Sequence, residues 1–343
     1  MKYLSLFSGI GGFELGIQQA YESNLKHALI SEESKQEERT QGGVRPTNLN
    51  STLLHPGDRT TPLCVGYSEI DKYAIQTYQK HYPEHYNYGD ITKINANELP
   101  DFDLLVGGFP CQAFSIAGKR KGFEDTRGTL FFEIARILKA KQPRLFLLEN
   151  VKGLLSHDNG NTFRTIVSTL NELGYDLQWQ VLNSKNHGVP QNRERIFIIG
   201  HLRGTSRPEV FPFTISNPKN LEQLIGGSQG NRVYSIDGVA TTQASLAGGQ
   251  GAKTGLYATE RRTRYIKSDI AGTLTSHFRG SPDGDGRTGV IEDTAIRRLT
   301  PIECERLQGF PDNWTIGSDT QRYKQCGNAV TVNVIKDIMM KLV

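Results

Sequence analysis

The sequence predicts an α/β protein with a large sheet-and-helix domain and a smaller, loop-rich one. Three observations predict it. Short apolar runs of strand character alternate with helical stretches through about residue 203, the pattern of a parallel sheet covered by helices. Two glycine-bearing turns, Ser8–Gly12 and Gly107–Ser115, directly follow such runs, where open sheets hold ligands at the carboxyl ends of their strands. After Gly200 the composition shifts to Gly, Ser, Thr and Arg with no clear period over about 204–293. A chain of 343 residues is long enough to bury a full core and carry a second unit.

In order, Tyr3–Phe7 reads as the first strand, and a helix with Phe13, Gly16, Ile17, Ala20 and Tyr21 along one face follows its glycine loop. Residues 31–62 are polar and aperiodic and are expected as a surface insertion, partly disordered. Val65–Glu69 is the second strand, followed by a helix over Lys72–Tyr82 and a short segment, Tyr86–Asp90. Glu69 and Asp90 are strand-end carboxylates; either could bind a nucleoside or simply be solvated. Leu104–Val106 is a buried strand, Thr129 begins a helix, and Leu145–Leu148 delivers Glu149 and Asn150 at its carboxyl end. A helix over Asn161–Leu173 and strands over Tyr175–Leu182 and Ile196–Gly200 complete a sheet expected to be parallel. Pro301–Leu307 and Thr331–Leu342 read as helices. The domains expected are therefore 1–203, 204–320, and a segment 321–343 whose helix returns to the first.

Composition narrows the function classes. With 36% hydrophobic and 22% charged residues, no membrane-length apolar run and no signal-peptide pattern, a cytoplasmic location is expected. A net charge of +4 suits a nucleic-acid binder without singling one out. The cysteines at 64, 111, 304 and 326 are scattered, against a zinc site or a disulfide framework. The glycine loop lacks the dinucleotide fingerprint, because Glu14 stands where a third glycine belongs, which disfavours an NAD-dependent oxidoreductase.

Cys111 follows Pro110 in the second glycine turn. A free cysteine is most often a small buried hydrophobe, but this one sits in a polar turn ahead of the basic run Gly118–Gly122, and is a candidate nucleophile. Pro110-Cys111-Gln112 after a strand, with Ala113–Gly118 behind it, resembles the catalytic loop of the cytosine-C5 DNA methyltransferases. That family's other motifs recur in the same order: Phe7–Gly12, Glu69-Ile70-Asp71, Gly89-Asp90-Ile91, Glu149-Asn150-Val151, Gln191–Arg195, Arg298–Pro301 with Glu303-Cys304, and Gln325–Asn328. Gln229, Arg232, Thr242, and Gly248-Gly249 through Lys253–Gly255 are similar to the recognition region of small bacterial enzymes that modify GC-rich four-base sites.

The resemblance implies a Rossmann-like S-adenosylmethionine-dependent methyltransferase fold with a target-recognition domain. It makes Cys111 the nucleophile, with Gln112 beside it. Glu149 would act at N3 of the base, Arg195 would hold the base oxygen with Arg193 supporting the same edge, and Asn150 would complete the catalytic set. The cofactor would lie against Phe7, Gly9, Ile10, Gly12, Glu69, Ile70, Asp90, Ile91, Gly108, Pro110, Leu130 and Asn328. Ser115, Lys119, Arg120 and Lys121 would meet DNA from the catalytic loop; Gln229 would fill the gap left by a flipped base, Arg232 would read a guanine edge, and Thr242, Gly248 and Gly249 would lie at the DNA. Double-stranded DNA is the implied partner, with a restriction endonuclease as functional counterpart and a monomer as the working unit. Gln243 replaces the leucine usual after the family's threonine, Ala247 interrupts a glycine run, 257–293 is additional, and Thr273-Leu274 is a rival match, so the recognition sequence stays open. The competing readings are a transfer-RNA cytosine methyltransferase and a catalytically silent DNA-binding regulator.

Overall fold

The computed structural model describes residues 1–40, 61–110, 130–213, 223–225, 233–234, 239–243, 256–260, 294–297 and 299–342. Its centre is a six-stranded sheet built from β1 (Lys2–Leu6), β2 (Leu63–Ser68), β3 (Leu104–Gly108), β4 (Leu145–Val151), β5 (Tyr175–Asn183) and β7 (Glu194–Leu202), in the order β2-β1-β3-β4-β7-β5. The short β6 (Gln191–Asn192) pairs instead with β10 (Ala240–Thr241). A separate sheet orders β8 (Gln223–Ile225), β9 (Val233–Tyr234), β11 (Leu256–Glu260) and β12 (Thr294–Arg297) as β12-β11-β9-β8.

Alternation along the strands makes the central sheet two-sided. Leu4, Leu6, Leu105, Phe146 and Leu148 pack on one face with Phe131, Ile134, Ile166 and Leu170 from α3 (Leu130–Lys141) and α4 (Asn161–Glu172). Tyr3, Leu104, Val106, Leu145 and Leu147 face the other way, onto α1 (Gly12–Thr40) and the carboxyl-terminal α7 (Val332–Leu342). Gly16 allows α1 and α7 to meet closely, since a Cβ there would stand 2.6 Å from that of Ile335. The remaining α-helices among the described residues are α2 (Lys72–His81), α5 (Pro301–Leu307) and α6 (Asp319–Asn328). Asp71 caps α2 by accepting from the amides of Tyr73 and Ala74, and Thr300 with Glu303 forms a capping box on α5. No helix among the described residues is long and apolar enough to cross a membrane.

Two expectations are corrected. The sheet is mixed rather than parallel, because β7 runs antiparallel to both β4 and β5. Only residues 184–193 separate β5 from β7, and they hold a single short turn and β6. That is too little chain for the helical crossover a parallel neighbour needs. The second correction concerns 31–62, whose first ten residues continue α1 to Thr40 rather than forming an irregular surface segment. Glu, Lys, Gln and Arg dominate that stretch, and all propagate a helix well without an apolar face. Residues 41–60 lie outside the described residues.

Candidate active site

The strand order reverses at β1, with β2 on one side and β3 on the other, so the loops after β1 and β3 part and leave a crevice. A cleft of about 350 Å³ lies there, lined by Phe7, Gly9 and Ile10 after β1, Glu69 after β2, Gly108 and Pro110 at the end of β3, and Glu149 and Asn150 at the end of β4. Arg193, Arg195 and Asn328 close it. The reversed direction of β7 explains Arg195: the first residues of that strand, not its last, sit beside the carboxyl end of β4, and Arg193 comes just ahead of them.

Glu149 and Arg195 form an ion pair, Nε to Oε1 at 3.0 Å, and both are largely buried. Burial pushes the Glu149 carboxyl above its ordinary range, against the opposing pull of Arg195 and then Arg193. Gly108 leaves room for this carboxylate; a Cβ there would be 3.1 Å from Oε2. Asn150 donates from Nδ2 to the carbonyl of Phe109 at 2.9 Å and accepts from the Val151 amide at 2.8 Å. It thereby ties the end of β4 to the backbone just ahead of Pro110. Arg193 is almost fully buried and spends its guanidinium on the carbonyls of Gln243, Gly327 and Ala329. Burial, then the like charge of Arg195, pushes its pKa down to about 9.

At the other end of the cleft, Glu69 is fixed by three amides: Oε2 accepts from Gly9 at 2.9 Å, and Oε1 from Ile70 and Asp71 at 2.8 Å each. Phe7 holds a φ of +54° and Gly9 one of +56°, so the loop opens through two left-handed residues. Backbone strain of this kind in a non-glycine residue concentrates at functional sites. Nothing lies within 4 Å of where a Gly9 Cβ would be.

Several predicted residues stand outside the cleft lining. Gly12 is packed under Val330, Ile91 is buried in the core, and Leu130 packs against that core. Ile70 projects into solvent, 74% exposed. Asp90 caps a short turn by accepting from the Thr92 amide and hydroxyl, bonds that hold its carboxyl below the usual range. Thr242 donates its hydroxyl to the Asn192 carbonyl at 2.6 Å and so faces β6. Cys111, Gln112, Ser115, Lys119, Arg120, Lys121, Gln229, Arg232, Gly248 and Gly249 lie outside the described residues.

The cleft also contains residues that the sequence did not single out: Gln321 and Lys324 line it from α6 beside Gln325, and Lys324 pairs with Asp71 at 2.6 Å. The Gln325–Asn328 motif was legible, but the helix carrying it was not. Behind the glycine loop, Glu14 is buried with Tyr78, which donates to it at 3.1 Å. Burial raises its pKa to about 7, partly offset by hydrogen bonds from Ser5 and Tyr78. Trp314 braces the same loop, donating from Nε1 to the Ile10 carbonyl at 2.8 Å.

Known proteins are similar to this chain in sequence and in fold. The type II methyltransferase M1.ScrFI of Lactococcus lactis subsp. cremoris is 44% identical over 284 residues, covering 80% of this chain and 70% of the relative. The type II methyltransferase M.SsoII of Shigella sonnei is 42% identical over 353 residues, covering 100% and 80%. The crystal structure of S. pombe Dnmt2 methyltransferase shares the fold, with a TM-score of 0.63 at 18% identity over 99% of this chain and 97% of that one. The family described as C-5 cytosine-specific DNA methylase matches residues 56–343. A Rossmann-like sheet with the carboxylate–arginine pair in the cleft at its end, and a family match across most of the sequence, lead to one conclusion: the chain belongs to the C-5 cytosine-specific DNA methylases.

Proposed function

We propose that the chain methylates carbon 5 of a cytosine within a short DNA sequence, drawing the methyl from S-adenosylmethionine. The observation that carries this reading is the buried Glu149–Arg195 pair beside the backbone leading into Cys111. Carbon 5 is a weak nucleophile until a thiolate adds at carbon 6. Cys111 makes that bond, and the electron pair moving toward N3 is met by Glu149, which hydrogen-bonds or protonates the ring there; burial raises its carboxyl above the ordinary range and so favours the proton transfer. Arg195 holds the base oxygen and keeps Glu149 oriented. After methyl transfer, water removes the carbon-5 proton, the double bond re-forms and Cys111 leaves as thiolate. The base reaches the cleft by rotating out of the duplex.

The cofactor end of the cleft fits an adenosyl group. Gly9 leaves open space, Glu69 is pre-oriented for ribose hydroxyls, and the exposed Ile70 offers an apolar face for the adenine. Asp90 lies beyond, suited to the adenine amino group, with Pro110 and Asn328 at the methionine side. S-adenosylmethionine supplies, when bound, an electrophilic methyl on a sulfonium. The DNA-reading domain lies within residues 204–320, where Gln229, Arg232 and the segment around Thr242 meet DNA, and 321–343 return to the catalytic domain. The chain acts as a cytoplasmic monomer alongside a restriction endonuclease of the same specificity.

Sequencing chemistry that resolves 5-methylcytosine, applied to DNA from cells expressing the chain, tests this. One short motif methylated on both strands is expected, and Cys111→Ser abolishes it while leaving the fold and DNA binding largely intact. Methylation found in RNA but not in DNA would transfer the proposal to an RNA substrate; normal turnover by the serine variant would remove Cys111 as nucleophile.

A further inference from the structure

Behind the cleft, four segments far apart in sequence meet in a buried polar joint. Arg193 donates from Nη1 to the Gln243 carbonyl at 3.1 Å, and from Nη2 to the carbonyls of Gly327 at 3.1 Å and Ala329 at 2.9 Å. Gln191, fully buried, donates to the Leu307 carbonyl at 2.8 Å and accepts from the Gln243 amide at 3.3 Å. Gln243, the residue standing where the family usually has leucine, donates from Nε2 to the Cys304 carbonyl at 2.9 Å. An apolar joint would hold these segments together with less desolvation. What the polar joint adds is geometry, because the guanidinium is a rigid plane whose donors aim in fixed directions.

Those directions connect two places. The carbonyls of Gly327 and Ala329 flank Asn328, and the Gln243 carbonyl belongs to the residue after Thr242. We propose that Arg193 is a positioning residue coupling the two ligands: occupancy of the cofactor cleft at Asn328 and of the DNA-reading segment at Thr242 each favour the other through this one guanidinium. The proposal rests on the reading above, in which Asn328 lies at the cofactor cleft and the segment that carries Thr242 meets DNA, the Thr242 hydroxyl itself being tied to the Asn192 carbonyl. A ligand that stills 327–329 also stills Arg193, and with it the backbone at 242–243. The second ligand then meets a segment already ordered, which gives cooperativity without a large change of shape. By linkage the effect is the same in either order of binding.

The test is the dissociation constant of S-adenosylhomocysteine, measured by calorimetry on the full chain, alone and with saturating duplex bearing the methylated motif. Wild type is expected to tighten about tenfold with DNA, within the ordinary range of coupling. Arg193→Lys, which keeps the charge and loses the fork, is expected to show less than about twofold by the same linkage. A purely structural role would weaken both affinities and leave their ratio unchanged, and would overturn the proposal, as would a wild type without coupling. If the lysine variant does not fold, hydrogen exchange on wild type decides. S-adenosylhomocysteine alone must slow the amides of 239–243, and duplex alone those of 326–331; no cross-protection refutes the joint. Failure of wild type to bind either probe would instead remove the methyltransferase reading beneath it.

Discussion

Glu14 offers the sharpest test of how the glycine loop is supported. Its carboxyl is buried between β1, β2 and α2, Oε1 accepts from Tyr78, and Oε2 has no hydrogen-bond partner among the described residues. Burial raises its pKa from an ordinary 4.5 to about 7. The folded protein therefore keeps this proton at pH values where the unfolded chain has lost it. Stability from this group is fully present below about pH 4.5 and is lost as pH rises toward 7. Between pH 5 and 8 the two titrations differ by an amount worth about 2.5 kcal/mol, at about 1.4 kcal/mol per pKa unit. Glu14→Gln keeps the size and an acceptor for Tyr78 but never ionises. Urea unfolding of both proteins at pH 5, 6.5 and 8 gives the difference in stability, with every other titrating group cancelling to first order. The glutamine variant should gain about 2.5 kcal/mol relative to wild type from pH 5 to pH 8. A gap that is flat with pH would show that Glu14 is ionised in the folded state, and would refute the reasoning.

Other perturbations address the cleft. Glu149→Gln should lower the turnover rate on the order of 10²–10³-fold while changing S-adenosylhomocysteine affinity little, because it removes a proton donor and not a cofactor contact. The wild-type rate should also fall on the alkaline side as the Glu149 carboxyl ionises, a limb the glutamine variant lacks; single-turnover assays across pH check both. Trp314→Phe leaves the buried Ile10 carbonyl without its donor and should cost about 1–3 kcal/mol in thermal or urea unfolding. It should also weaken cofactor binding, measured by calorimetry, since the loosened carbonyl belongs to the loop that lines the cleft.

What could be read from the sequence was what is local. Gly9 and Gly11 mark a turn that only left-handed backbone completes, and Leu104–Gly108 and Leu145–Val151 carry the unbroken apolar runs of strands buried on both faces. The residues that follow those strands are the ones around the cleft. Strand direction was not legible, because an apolar run reads the same either way; the ten residues between β5 and β7 were the available signal against a crossover. Helix α6 was missed because its sequence is polar along most of its length and its inward residues are glutamine, cysteine and glycine. The destination of Arg193 was beyond sequence reasoning altogether. Its partners are backbone carbonyls at 243, 327 and 329, and no side-chain pattern encodes an acceptor that every residue possesses.

The chain's two tryptophans turn the packing around Trp314 into an optical instrument. Trp179 lies on the edge strand with 46% of its surface exposed, whereas Trp314 is 7% exposed, stacked on His81 at 3.6 Å and bonded to Ile10. A soluble quencher such as iodide reaches the first and not the second. The emission that survives it comes from an indole fastened to the glycine loop, so loading of the cleft can be followed in the native, unlabelled enzyme at stopped-flow speed.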